Sequence, residues 1–359
     1  MKKINLPSVR KKQVDKKKNS ITRITNDTVA QHREQILSEG RRFKYPLQYT
    51  KKRLVINAGL IGLLVVVVFS SIVYWALYHA QATGTFFYRI TQIAPLPVAS
   101  VEGEQVLYSD YLRNYRASET YIRERELPEQ SDYSDDQMSD RSAIYKTRAL
   151  SDAVKFTYAK KLAQDSNINV TDDQVTERIN EVRRSISTGG EISQATYDRS
   201  IMEIHGLTPS DSREMMRQSL IRQAVSFAID ANAKDISSAL ESFLDNNPEM
   251  SFDEVIESFE GSDNSLQLST SGFVKETNSD GGLAAAASKL EVGEYTGPIK
   301  TSRGDGFGYY YVRLLERDND NRINYQFIKI PLSEFDGRVD DLYKNNKVNP
   351  YISIDSMDD

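Results

Sequence analysis

The 359-residue chain predicts a single transmembrane helix followed by two extracytoplasmic pieces, an all-α domain and a small α+β unit with an antiparallel sheet. Three observations carry that class. Residues 54–78 contain no charged side chain. Between residues 110 and 228, apolar residues recur at helical spacing and are punctuated by helix-start signals. Beyond residue 265, short β-rich runs alternate with turns rich in Gly, Asp and Asn.

The net charge of −5 averages two opposite halves. Residues 1–53 hold 16 Lys+Arg against 4 Asp+Glu, whereas residues 79–359 hold 30 against 47. There is no cysteine, which excludes disulfide staples, zinc–thiolate and iron–sulfur centres, and a Cys nucleophile. His32, His79 and His205 are the only imidazoles. No cofactor or metal site is expected, and the acidic ectodomain disfavours nucleic acid as a partner.

Leu54–Tyr78 (LVINAGLIGLLVVVVFSSIVYWALY) is long enough as a helix, roughly 37 Å at about 1.5 Å per residue, to cross a bilayer core. Lys51, Lys52 and Arg53 abut its start, and Tyr74, Trp75 and Tyr78 form an aromatic belt at its end. The positive-inside rule places the N-terminus in the cytoplasm and residues 79–359 outside the cell membrane. Ala80-Gln81-Ala82 resembles a signal-peptidase site, but the apolar run is too long and begins too late for a signal peptide, so an uncleaved anchor is expected. Residues 1–53 read as a largely disordered tail that sets topology, with one short helix at Asp27–Glu39 stopped by Gly40. Arg41, Arg42, Lys44, Lys51, Lys52 and Arg53 are its candidate contacts with anionic lipid.

Residues 79–97 read as a stalk. A strand-turn follows over 98–107, with Ser109 as N-cap of a helix bearing Tyr111, Leu112, Tyr115 and Ile122. Residues 127–139 read as an acidic mobile loop, and a long helix is expected over Asp140–Asp165. Thr171 with Gln174 forms a capping box for the next helix. Another helix spans 193–204, and Thr208-Pro209-Ser210-Asp211 opens one more. Helices at 235–245 and 251–260 precede a strand at 265–274, a short helix at Leu283–Leu290 and strands near 298–301, 308–315 and 323–330. The predicted division is therefore 98–230 for the helical domain, 231–335 for the α+β unit and 336–359 for a C-terminal tail.

Three phrases in the first unit resemble membrane-anchored foldases of the SurA/PrsA/PpiD type. They are VEGEQVLYSDYLRNYR, ALSDAVKFTYAKKLAQDSNINVTDDQVTERINEVRRS and HGLTPSDSREMMRQSLIRQAV, and they fall in that family's order and spacing. The resemblance implies a SurA-like chaperone domain over 98–228. In the second unit, LAAAASKLEVGEYTGPIKTSRGDGFGYYYVRLLER resembles the later half of a parvulin (PpiC-type) peptidyl-prolyl isomerase. The paired histidines of that family are missing, because no histidine follows His205. Tyr309-Tyr310 stands where the family has an aromatic residue and a histidine after Gly308. Leu283 and Ser288 stand where aromatic residues line its proline pocket, and Phe273 ends a shortened glycine phrase. The resemblance thus implies client or proline-pocket positions at Phe273, Leu283, Ser288, Tyr309, Tyr310, Tyr311 and Phe327. The parvulin first strand has no counterpart before the helices of this unit. Ile323–Ile330 is expected to take its place, giving a circularly permuted sheet.

The function implied is a chaperone or foldase for unfolded secreted or envelope polypeptides, with a catalytically degenerate parvulin-like domain. An active prolyl isomerase and a non-catalytic envelope adaptor are the alternatives. Prolyl isomerisation must lower a barrier of about 20 kcal/mol, and each tenfold of rate requires about 1.4 kcal/mol of selective stabilisation. A pocket without imidazoles or an aromatic wall offers few sources for it. Gly304-Asp305-Gly306 and Asp318-Asn319-Asp320-Asn321 read as hairpin turns, not as phosphate or calcium loops. The tyrosines read mainly as core, with a client groove as the functional alternative.

Overall fold

The computed structural model describes residues 25–44, 47–122, 135–186, 191–259, 266–303 and 306–353. They divide into two compact units, the first ending at Ile72 and the second running from Val73. In the first, helix α1 (Asn26–Lys44) continues through Gly40 instead of stopping there. A glycine weakens a helix interior by about 1 kcal/mol without being obliged to end it. Helix α2 (Leu47–Tyr78) contains a segment, Arg53–Tyr78, long and apolar enough to cross a membrane. Its flank from Leu54 through Ile72 is exposed.

The second unit starts with the last turn of α2, whose Val73, Ala76 and Leu77 are buried. Residues 79–97 do not form the predicted stalk. They turn back, with Ala82 N donating to Ala76 O at 2.9 Å, and wind into helix α3 (Thr85–Ile93), which buries Tyr88 and Thr91. Strands β1 (Pro97–Val101) and β2 (Glu104–Leu107) form a hairpin through Glu102 and Gly103, both at positive φ. Helix α4 (Tyr108–Tyr121) begins one residue before Ser109, which is a buried helical residue and not its cap.

Helix α5 (Asp135–Asp165) starts inside the stretch read as a loop; residues 127–134 of that stretch lie outside the described residues. Helix α6 (Asp172–Ile186) is capped by the Thr171–Gln174 pair, each backbone N–H donating to the other's side chain. Helix α7 (Gln194–His205) closes on Gly206 at φ 62°, where a Cβ would meet Thr120 Oγ1 at 2.7 Å. Helix α8 (Pro209–Ile229) opens with a Thr208–Asp211 capping box. Asp211 is buried and accepts from Tyr88 and Gln92 on α3, while Arg113 on α4 lies 3.6 Å away. This one first-turn carboxylate thereby ties α3, α4 and α8 together. Rings of Tyr74, Tyr78, Tyr108, Tyr111 and Tyr115 follow one another at centroid spacings of 4.8–6.4 Å, from the end of α2 into this core.

Helices α9 (Ala231–Asn246) and α10 (Phe252–Ser258) lead to β3 (Gln267–Thr270), helix α11 (Leu283–Ala287), and strands β4 (Tyr295–Arg303), β5 (Gly306–Arg317) and β6 (Ile323–Pro331). The sheet order is β3-β6-β5-β4, all antiparallel. The hairpin strand β6 therefore lies between β5 and β3. The residues after 335 are not a tail. Helix α12 (Glu334–Lys344) buries Phe335, Val339 and Leu342 in the core that holds Leu112 and Val154, and β7 (Val348–Pro350) pairs with β1. The spacing i, i+4, i+7 of those apolar residues is the helical stripe that a tail reading overlooks. The α+β unit is thus an insertion in a helical domain made from both sides of it. Asp230 sits at the junction, buried, accepting from Ala233 N (2.9 Å), Ser333 N (2.8 Å) and Glu334 N (3.0 Å). One carboxylate caps the helix that leaves the helical domain and the helix that returns to it.

Candidate functional site

The alternation of a strand sends successive side chains to opposite faces. Tyr309 and Tyr311 accordingly pack with Leu240, Phe252 and Val255 of α9 and α10, whereas Tyr310 packs with Leu283, Ala287, Tyr325 and Phe327 under α11. All three tyrosines, Leu283 and Phe327 are at most 2% exposed. Tyr310 donates to Gly306 O at 3.2 Å, Tyr311 to Ser237 O at 2.7 Å and the neighbouring Tyr325 to Asp280 at 2.7 Å, whereas the Tyr309 hydroxyl is buried without a hydrogen-bond partner among the described residues. Asp280 is itself buried and accepts from Ala284 N and Asn278. Burial first, and then nearby acidic groups, push the Tyr311 phenol up to about 12, far from any proton exchange near neutrality.

Five of the seven residues singled out from the sequence are therefore core side chains in this conformation, with no open face for a peptide. The aromatic residues at the expected pocket positions are divided between the two buried clusters of the sheet. Phe273 remains accessible, under the Arg322 guanidinium at 5.9 Å, and Ser288 is half-buried. Ser288 lines the larger of the cavities described below. Of the lipid-contact residues, Arg53 is exposed, and the side chains of Arg41, Arg42, Lys44, Lys51 and Lys52 lie outside the described residues.

Open space lies instead between the helical domain and the sheet. A cavity of about 600 Å³ is walled by Arg178, Glu181, Val182 and Ser185 of α6 and by the 276–282 segment, Ala285 and Ser288. A second, of about 450 Å³, adjoins it and shares Arg178, Glu181 and Lys300. Its lining includes Val170, Leu220, Ala224 and Phe227. Together they make one cleft with an apolar floor and a polar rim.

The rim is held by local pairing: Arg178 to Glu181 at 3.0 Å, Arg184 to Glu177 at 2.7 Å and Arg178 to Gln223 at 3.1 Å. Hydrogen bonding from Arg184 holds the Glu177 carboxyl below its usual range. The floor is supported from behind by Val175, Ile179 and Tyr197, buried between α6, α7 and α8. Sequence reading missed the cleft because Leu220 and Phe227 have the spacing of core residues. The recognisable signal was the charged face of α6, where Glu177, Arg178, Glu181 and Arg184 recur at three and four residues.

His205 stacks on Tyr121 with centroids 5.5 Å apart and bonds the backbone of Ala117, and burial lowers its pKa. It serves packing. Among the described residues, no three His, Asp or Glu side chains gather as metal ligands. The cleft can hold an extended, partly apolar chain by contact and peripheral hydrogen bonding, without covalent chemistry.

The model of one protein family, the SurA-like N-terminal domain, matches residues 47–226, half of the chain. No curated protein and no solved structure matches it significantly.

Proposed function

Because the chain belongs to the SurA-like N-terminal domain family, a family of chaperone-type envelope domains, we propose that it is a membrane-anchored extracytoplasmic chaperone for unfolded secreted or envelope polypeptides. The observation that carries this reading is the cleft of Leu220, Ala224 and Phe227 rimmed by Arg178, Glu181 and Lys300. Apolar contact is non-directional and scales with area at about 25 cal/mol per Å², so such a floor accepts many sequences and releases them. Residues 54–78 anchor it as a single span, with residues 79–359 outside the membrane.

The inserted unit is a circularly permuted, catalytically degenerate parvulin. Its sheet order supports this, since β6 lies where the resemblance puts the missing first strand. Its buried interior supports degeneracy, because Tyr310 and Phe327, at expected pocket positions, are core side chains beside Tyr325.

The test uses the full chain in lipid nanodiscs with a chemically denatured model protein. Substoichiometric suppression of aggregation is expected, and the Leu220→Asp/Phe227→Asp variant should lose most of it while keeping its helical circular dichroism. Failure of the unaltered protein to suppress aggregation would favour an envelope adaptor. A protease-coupled proline-peptide assay on the same sample should run at the uncatalysed rate; acceleration would restore the isomerase reading.

A further inference from the structure

Helix α3 carries a feature that the chaperone reading leaves unused. Its inner side is fixed: Tyr88 and Thr91 are buried, Tyr88 donates to Asp211, and Phe87 and Ile90 pack on the core. Its outer side presents Phe86 at 59% and Ile93 at 87% exposure, the latter the most exposed large apolar side chain of the chain's described residues. These two positions are seven apart and so nearly superimpose on a helix, and exposed Arg89 lies beside them. Single exposed apolar residues are ordinary, but an aligned pair on a helix with a neighbouring cation is the pattern of an interfacial helix.

The position of α3 in the fold selects the occupant. Residues 79–84 fold back on the last turn of α2 through His79 N to Trp75 O (3.0 Å) and Ala82 N to Ala76 O (2.9 Å). Tyr108 donates to Leu77 O and Tyr78 to Pro97 O, each at 2.6 Å, so the end of α2 is built into the same core as α3. Tyr74 and Trp75, on that end, are 58% and 61% exposed. An aromatic belt of this kind sits at headgroup depth when the preceding residues cross the bilayer.

We propose that α3 lies on the outer bilayer surface, with Phe86 and Ile93 in the boundary between headgroups and acyl chains and Arg89 against lipid phosphate. Helix α3 thereby adds a second membrane contact to the one made by residues 54–78. This inference rests on the reading of residues 54–78 as a membrane span.

The absence of cysteine makes the test direct. Single variants Val66→Cys, Phe86→Cys, Ile93→Cys and Val292→Cys of the full chain are spin-labelled and reconstituted in vesicles containing phosphatidylglycerol. Collision rates with oxygen and with a water-soluble nickel chelate are then compared. Labels at 86 and 93 should favour oxygen several-fold relative to the label at 292, an exposed site on the α+β unit. If 66 is lipid-exposed while 86 and 93 match 292, the span stands and the α3 contact is overturned. Dipolar broadening at 93 that vanishes on dilution with unlabelled protein would assign the stripe to a second copy of the chain and overturn it too. A water-accessible label at 66 would remove both readings together.

Discussion

The interior of the sheet and the cleft beside it are built from similar materials and differ in accessibility. Under α11, Tyr310, Tyr325 and Phe327 pack in one buried cluster, with the Tyr310 hydroxyl bonded to Gly306 O and the Tyr325 hydroxyl to Asp280. In the cleft, Leu220, Ala224 and Phe227 remain partly exposed because α6 and the 276–282 segment stand apart across about 600 Å³ of adjoining space. A resemblance in sequence directs attention to the first region, whereas volume and exposure direct it to the second. The difference teaches that aromatic residues at an expected binding position can be core side chains.

The contrast is open to four tests. The largest effect is expected from Tyr310→Ala, which removes a fully buried ring from the closed interior and should cost about 3–5 kcal/mol in urea unfolding. A cost below about 1 kcal/mol would mean that the interior is loosely filled and that the closed-site reading is wrong. Asp230→Ala removes the cap of α9 and of α12 at once and should cost about 2 kcal/mol, roughly 1 for each cap. Limited proteolysis should then cut first near 230 and 333, at the seam between the two regions.

Alkaline pH offers a third test, in which burial is read from the phenols. Burial is the first cause that raises Tyr311, and likewise Tyr88, to about 12. Their folded pKa lies above the unfolded value near 10, so the unfolded state releases these protons first. The stability these groups contribute is complete below pH 10 and is lost as pH rises toward 12. A pH–stability curve for Tyr311→Phe should be flatter in that window. The smallest effect is expected in the cleft wall. Arg184 and Glu177 are solvated, so Arg184→Ala should leave the melting temperature unchanged within error. A clear drop would show that the rim is structural and not an open binding edge.

Legibility followed the range of the interactions. The Thr208–Asp211 and Ser251–Glu254 capping boxes and the turn at Glu102-Gly103 close within a few residues, so their side chains announce them. Helix α3 and α12 were hidden because a short amphipathic stripe has no partner in the sequence itself. Phe335, Val339 and Leu342 make a helix only by reaching a core more than 150 residues away in the chain, beside Leu112 and Val154. The cleft was not legible, since it is defined by surfaces that two distant segments leave uncovered; Ser288, expected at a proline pocket, lies in its wall instead.

By itself the sequence determined the uncharged block at 54–78, the exclusion of cysteine chemistry, the missing histidines and the helical phrases of the SurA-like domain. Each is a matter of composition or of spacing over a turn or two. Tertiary structure alone decided that Asp230 would cap two helices, that β7 would return to β1, and that Tyr309, Tyr310 and Tyr311 would be divided between two cores. Those outcomes depend on which faces remain to be buried once the strands have paired, and no local stretch of the chain carries that information.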